Sequence, residues 1–150
     1  MPDLWMAEDA GDRFYIKLWQ RRADESIALR AMWNREVRNL MRLQGYPGAT
    51  ELFVRLRDLE VTDHNYYAVL DGGRRMLMSD VLKDRSRHAW LLNLTEVTRR
   101  RPLWEGMLRL AEALSILHSE GTLHRAFQPT AVFVGPDGQA DFRLSGFEWS

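Results

Sequence analysis

The chain has 150 residues, 45% hydrophobic and 28% charged, enough for one small domain with an apolar core. Its 21 basic and 21 acidic residues cancel, which argues against a nucleic-acid binder that depends on bulk positive charge. Cysteine is absent, which excludes disulfides and Cys-ligated zinc, and no apolar run approaches the ~20 residues a membrane span needs.

Leu4 to Glu8 reads as a short strand, and Ala10-Gly11-Asp12-Arg13 as a turn. Phe14 to Trp19, rich in aromatic and β-branched residues, is the second arm of that hairpin. The polar stretch Gln20 to Ser26 reads as a loop. Ile27 to Leu43 lacks Gly and Pro, and Ile27, Ala31, Met32, Trp33, Val37, Leu40 and Met41 recur at helical spacing. Gly45-Tyr46-Pro47-Gly48 ends that helix. Leu52, Val54 and Leu56 alternate with Phe53, Arg55 and Arg57, a strand reaching loosely to Val61.

Thr62 to Asn65 is a turn. Tyr66 to Leu70 is a buried strand stopped by Asp71-Gly72-Gly73. Arg74 to Arg101 gives one or two short helices. Pro102 suits the first position of the next helix. Leu103, Met107, Leu110, Ala111, Leu114, Leu117 and His118 share one face of it, and Gly121 stops it. Val132 to Val134, Gly135-Pro136-Asp137-Gly138 and Phe142 to Leu144 form a small hairpin. The N-terminus has neither a basic region nor a long apolar stretch, so no signal peptide is read and the expected location is cytoplasmic.

Only two of the 21 basic residues are lysine, Lys17 and Lys83; the other 19 are arginine. A lysine kept in that background is worth following, because a compact ammonium and a planar guanidinium are not equivalent at a phosphate. The four histidines show no metal-ligand spacing, and no metal site is expected. His118 and His124 read as structural, and Arg99-Arg100-Arg101 as a solvated turn.

The order of elements and four local motifs resemble the protein kinase superfamily, serine/threonine type. Tyr15-Ile16-Lys17 is similar to the third-strand lysine motif. Asn34-Arg35-Glu36-Val37 through Leu43 is similar to the C-helix, with Glu36 as the partner of Lys17. Tyr67 to Gly73 resembles the hinge, with Leu70 as gatekeeper. His118 to Gly121 and His124 to Ala131 resemble the end of the E-helix and the catalytic loop. The resemblance implies an α+β fold. Residues 1–73 would be an N-lobe with an antiparallel sheet and C-helix, lacking the first strand and Gly-rich loop. Residues 74–150 would be the first part of a mainly helical C-lobe, ending near the D-F-G-equivalent position. An incomplete domain is the expectation, with an apolar stripe on the helix after Pro102 left uncovered.

The departures from the family pattern bear on activity. Ala126 stands where the family has its base, Gln128 where it has a phosphate-side Lys, and Ala131 where it has a metal-holding Asn. Gly146-Phe147-Glu148 matches D-F-G, so that carboxylate is missing too, and Glu148 is one residue out of phase to replace it. A rival alignment makes Asp141-Phe142-Arg143 the D-F-G equivalent. Tyr15 stands where the family has a small Ala against the adenine. His124, Phe147 and Leu40 match members of the apolar stack between the lobes.

The resemblance therefore implies a catalytically impaired kinase-like domain, acting as a regulatory or protein-binding module of a larger protein. The alternative is a diverged active serine/threonine kinase or other ATP-dependent transferase. ATP and magnesium are the cofactors of the family, and neither is expected here. Lys17, Glu36, Leu70, Asp71 and Gly72 would form a vestigial nucleotide site. The expected partner is a protein or the rest of a longer chain, not nucleic acid or membrane.

Overall fold

A computed structural model describes residues 2–21, 27–92, 94–136 and 139–150. Residues 22–26 of the predicted loop, and Asp137 and Gly138 of the predicted turn, lie outside the described residues. The fold is α+β. Strands β1 (Asp3–Asp9), β2 (Asp12–Gln20), β3 (Arg55–Val61) and β4 (Asn65–Gly73) form one antiparallel sheet in the order β1-β2-β4-β3. A second antiparallel sheet has the order β5 (Met76–Leu77), β6 (Val132–Val134), β7 (Phe142–Leu144).

The first hairpin forms as its sequence demands. Ala10 and Gly11 take φ of 50° and 85°, the paired left-handed conformation that matches strand twist in a two-residue turn. In β2 the side chains alternate, so Tyr15, Lys17 and Trp19 are buried on the inner face. Helix α1 (Ile27–Gln44) lies against that face, where Trp33 stacks on Tyr66 at 5.2 Å and its indole N–H donates to the Tyr67 carbonyl at 3.0 Å. The inward stripe of α1 is Met32, Glu36, Val37, Asn39, Leu40 and Leu43. Ile27 and Met41, read as part of its apolar face, are exposed instead.

Two other local readings are corrected and a third is filled in. Ala49–Leu52 is a short helix, α2, and β3 starts only at Arg55. Phe53 leaves the helix to form an isolated parallel bridge with Leu144 and to meet the Phe147 ring at 6.0 Å, so a tertiary contact overrides the local alternation. Strand β4 does not stop at Leu70 but pairs through Gly73, because β2 continues beside it to Arg13. Between Arg74 and Arg101 the expected short helix is present as α3 (Met78–Lys83), with β5 before it, two single 3-10 turns after it and the start of the next long helix at Val97.

The long helix α4 runs Val97–Ser119, so Pro102 sits inside it rather than at its first position. Pro102 is the sixth residue of α4, past its first turn, so its missing N–H forgoes the helix bond to the Thr98 carbonyl. The face of α4 is also rotated from the one read in the sequence. Gly106, Leu110, Ala113 and Leu117 point inward, whereas Met107, Ala111 and His118 are exposed. Gly106 fixes that rotation: a Cβ there would come 2.7 Å from the Phe142 ring. Gly121, at φ 70°, ends α4 as expected. Its N–H donates to the His118 carbonyl and that of Thr122 to the Leu117 carbonyl, the paired bonds of a glycine C-cap. No helix of the described residues is long and apolar enough to cross a membrane.

Candidate functional site

Lys17 reaches from the buried face of β2 into the gap between the sheet and α1, and there it meets two carboxylates. Its ammonium donates to Glu36 Oε1 at 2.7 Å and to Glu148 Oε2 at 2.9 Å. The predicted pairing of Lys17 with Glu36 is therefore present. Glu148, which the sequence reading set aside as out of phase, completes a three-residue cluster. The last segment is held so that this happens. The Ser145 N–H donates to the Ala131 carbonyl at 2.8 Å, His124 Nε2 donates to the Ser145 carbonyl at 2.7 Å, and the Phe147 N–H donates to Glu36 Oε2. Glu36 thus ties β2, α1 and the final segment together with one carboxyl group.

The cluster is nearly dry. The side chains of Lys17, Glu36 and Glu148 are 7%, 0% and 12% exposed. Burial would discharge the Lys17 ammonium, but the two carboxylates outweigh it and hold its pKa above the ordinary value. Burial pushes the Glu36 carboxyl up to about 7, with the neighbouring Glu148 adding to the rise and Lys17 opposing it. Burial also opposes ionisation of Glu148, yet Lys17 and the hydrogen bond from Glu36 hold its carboxyl below the usual range.

Lys17 and Glu148 open onto a cleft of about 220 Å³, lined also by Pro2 and Leu4 of the β1 end and by Ala126, Gln128, Thr130, Ala131 and Gly146. The positions singled out as departures thus converge on Lys17. A methyl group at 126 cannot accept a proton, and Ala131 and Gly146 offer no side-chain oxygen. Among the described residues no group of three or more His, Asp or Glu is placed to hold a metal ion.

Beside the cleft, Tyr15 is buried at 3% exposure, its ring edge-on to Phe133 at 4.7 Å and its hydroxyl donating to the Arg75 carbonyl at 3.1 Å. Burial raises its pKa. A Cβ on Gly72 would come 2.7 Å from the Tyr15 ring, so this phenol fills the space between β4 and β6. Leu70 is fully buried, and Asp71 accepts the Gly73 N–H at 3.1 Å. Leu70, Asp71 and Gly72 are therefore on the Tyr15 side of the cluster and do not line the Lys17 cleft.

His124 is buried, with Phe147 edge-on at 5.3 Å, and burial lowers its pKa. Phe147 and Leu40 are buried in the same core. Arg99 and Arg101 lie on α4 and not in a turn, each in an exposed ion pair, with Glu96 at 3.0 Å and Glu105 at 2.7 Å. The rival alignment fails on geometry: Asp141 binds Arg75 and Arg143, and Phe142 is a fully buried strand residue of β7. Glu148 is the residue that sequence reasoning missed. Its only signal was its place directly after the Gly146-Phe147 pair.

No family model matches the chain. Among curated proteins, the chain is 31% identical over 106 residues to the dual specificity protein kinase TTK of Mus musculus. The chain is kinase-like in sequence. The matched stretch covers 71% of this chain and 11% of that protein, so the chain spans about a ninth of its relative. The α+β architecture, with its antiparallel sheet and several helices, is compatible with part of a kinase-like fold.

Proposed function

We propose that this chain is a catalytically impaired kinase-like domain that works by binding, as a regulatory module, and does not transfer phosphate. The observation that carries the reading is Glu148 on Lys17. Glu36 at 2.7 Å is the pairing the resemblance implies for Lys17; the second carboxylate, Glu148 at 2.9 Å, is the one that would compete with phosphate for the ammonium. Phosphoryl transfer depends on positioning and on metal neutralising the developing charge. The cleft around Lys17 offers Ala126, Ala131 and Gly146 at the positions that would handle proton and metal. In this reading no magnesium–nucleotide complex is held, because Tyr15, buried against Phe133, stands where the resemblance puts a small residue against the adenine. In this reading the fold is kept for the surfaces it presents to a protein partner or to the rest of a longer chain, in the cytoplasm.

The test is phosphate transfer from labelled ATP with magnesium to casein. The reading expects no incorporation above the blank. Incorporation abolished by Lys17→Ala would overturn it and favour the second reading, a diverged transferase. That second reading rests on one observation, the carboxylate of Glu148 facing the cleft.

A further inference from the structure

The outer face of the four-stranded sheet is built as though something covers it. An antiparallel sheet with one solvated side alternates apolar and polar residues, whereas strands covered on both faces are apolar throughout. Here β2 turns Phe14, Ile16 and Leu18 outward while Tyr15 and Trp19 are buried inward, and β4 turns Tyr67 and Val69 outward while Tyr66, Ala68 and Leu70 are buried inward. The five outward side chains are half-buried only. The register places Trp5, Ile16, Val69 and Asp58 in one row across the four strands, and the Trp5 end of that row is 61% exposed. Helix α1 packs on the opposite face, through Trp33 on Tyr66.

The outer face is also shaped and charged. Ile16, Leu59, Tyr67 and Val69 line a cavity of about 230 Å³, room for one large apolar side chain. Asp58 and Glu60 stand on its rim, exposed, and neither forms an ion pair among the described residues. Arg57 already lies over the Phe14 ring at 4.9 Å at the other end of this face, so it is at the cavity rim, where Asp58 and Glu60 stand, that a partner must bring positive charge along with apolar area for the row. A second copy docked cavity to cavity would oppose the two acidic rims, Asp58 and Glu60 of each.

We propose that this face docks a basic amphipathic helix of a partner protein, with its apolar stripe along Trp5, Ile16 and Val69, one large side chain in the cavity, and its cationic flank on Asp58 and Glu60. A helix lying on a sheet is the ordinary way to close such a face. The inference stands on the sheet alone and is independent of whether the Lys17 cleft is catalytic.

The experiment follows the methyl resonances of Ile16 and Val69 during titration with an 18-residue helical peptide of leucine and lysine in amphipathic order. The matching leucine–glutamate peptide is the control. The lysine peptide should shift both methyls saturably, the glutamate peptide should not, and Asp58→Asn combined with Glu60→Gln should weaken binding tenfold or more. Should the double variant melt early, Glu60→Gln alone, at an exposed side chain, should weaken it about threefold. Shifts confined to other residues, equal binding of the glutamate peptide, or undiminished affinity of the variants would overturn the proposal. Shifts of the same methyls on raising protein concentration without peptide would overturn it in favour of head-to-tail contact between copies.

Discussion

Lys17 and Glu148 are 131 residues apart in sequence and their charged atoms are 2.9 Å apart in the fold. With Glu36 on the same ammonium, the cluster ties the first sheet, α1 and the last segment into one unit. Removing one member of a buried ion pair leaves the other charge unpaired, which costs ~3–5 kcal/mol. Lys17→Met leaves two buried carboxyls facing each other and should lose stability of that order, about 3–5 kcal/mol. Glu148→Gln leaves Lys17 paired with Glu36 and should lose about 1–3 kcal/mol. Urea unfolding of the two variants measures both, and equal losses would contradict the roles given to them.

The pH dependence of stability has a definite sign at Glu36. Its folded pKa of about 7 lies above the ordinary 4.5, so between those values the folded chain binds more protons than the unfolded one. Its contribution is full below pH 4.5 and is lost as pH rises through about 7. Glu148 acts oppositely, its contribution being present above its ordinary value and lost as pH falls. His124, held neutral by burial, favours the fold as pH rises through its own range. The difference in unfolding free energy between the native chain and Glu36→Gln isolates Glu36. That difference should move against the native chain from pH 5 to pH 8; a flat difference would contradict the assignment.

Much of this arrangement was legible in the sequence. The β1–β2 hairpin followed from a turn flanked by aromatic and β-branched residues, and the Lys17–Glu36 pair from a strand lysine and a helix glutamate in kinase-like order. Glu148 was not legible, because its reach depends on where the Ser145 and Phe147 backbone bonds set the last segment, and no spacing rule carries that information. The start of β3 and the rotation of α4 were missed for a similar reason. Phe53 bridges Leu144, and Gly106 abuts Phe142, both contacts between distant parts of the chain. The exposed position of His118 follows from that rotation.

Gly106→Ala separates packing from helix propensity. In an open helix the change would stabilise by roughly 1 kcal/mol. Here the added Cβ would meet the Phe142 ring at 2.7 Å, so overpacking should win, with a net loss of about 1–3 kcal/mol. Phe142→Leu in the Gly106→Ala background should recover part of that loss relative to its effect alone. A thermal melt of the four chains reads the outcome, and a more stable Gly106→Ala would show that α4 does not pack as described.

Tyr15→Ala should cost about 3–5 kcal/mol, the usual range for deleting a buried aromatic ring. It should also open the space between Gly72 and Phe133, so that the surviving folded fraction gains affinity for adenosine. Equilibrium dialysis with labelled adenosine compares the two chains. No gain in the folded variant would contradict the claim that this ring closes the purine space.

The most direct measurement of the account is the melting temperature of the unaltered chain with and without 1 mM ATP and excess magnesium. A ligand present at 100 times its Kd stabilises the folded state by ~2.7 kcal/mol, which for a domain of this size raises the melting temperature by roughly 5–10 °C. With Glu148 on Lys17 and with Tyr15 against Phe133, the account predicts no shift. A magnesium-dependent rise of several degrees, saturating at micromolar ATP, would contradict it.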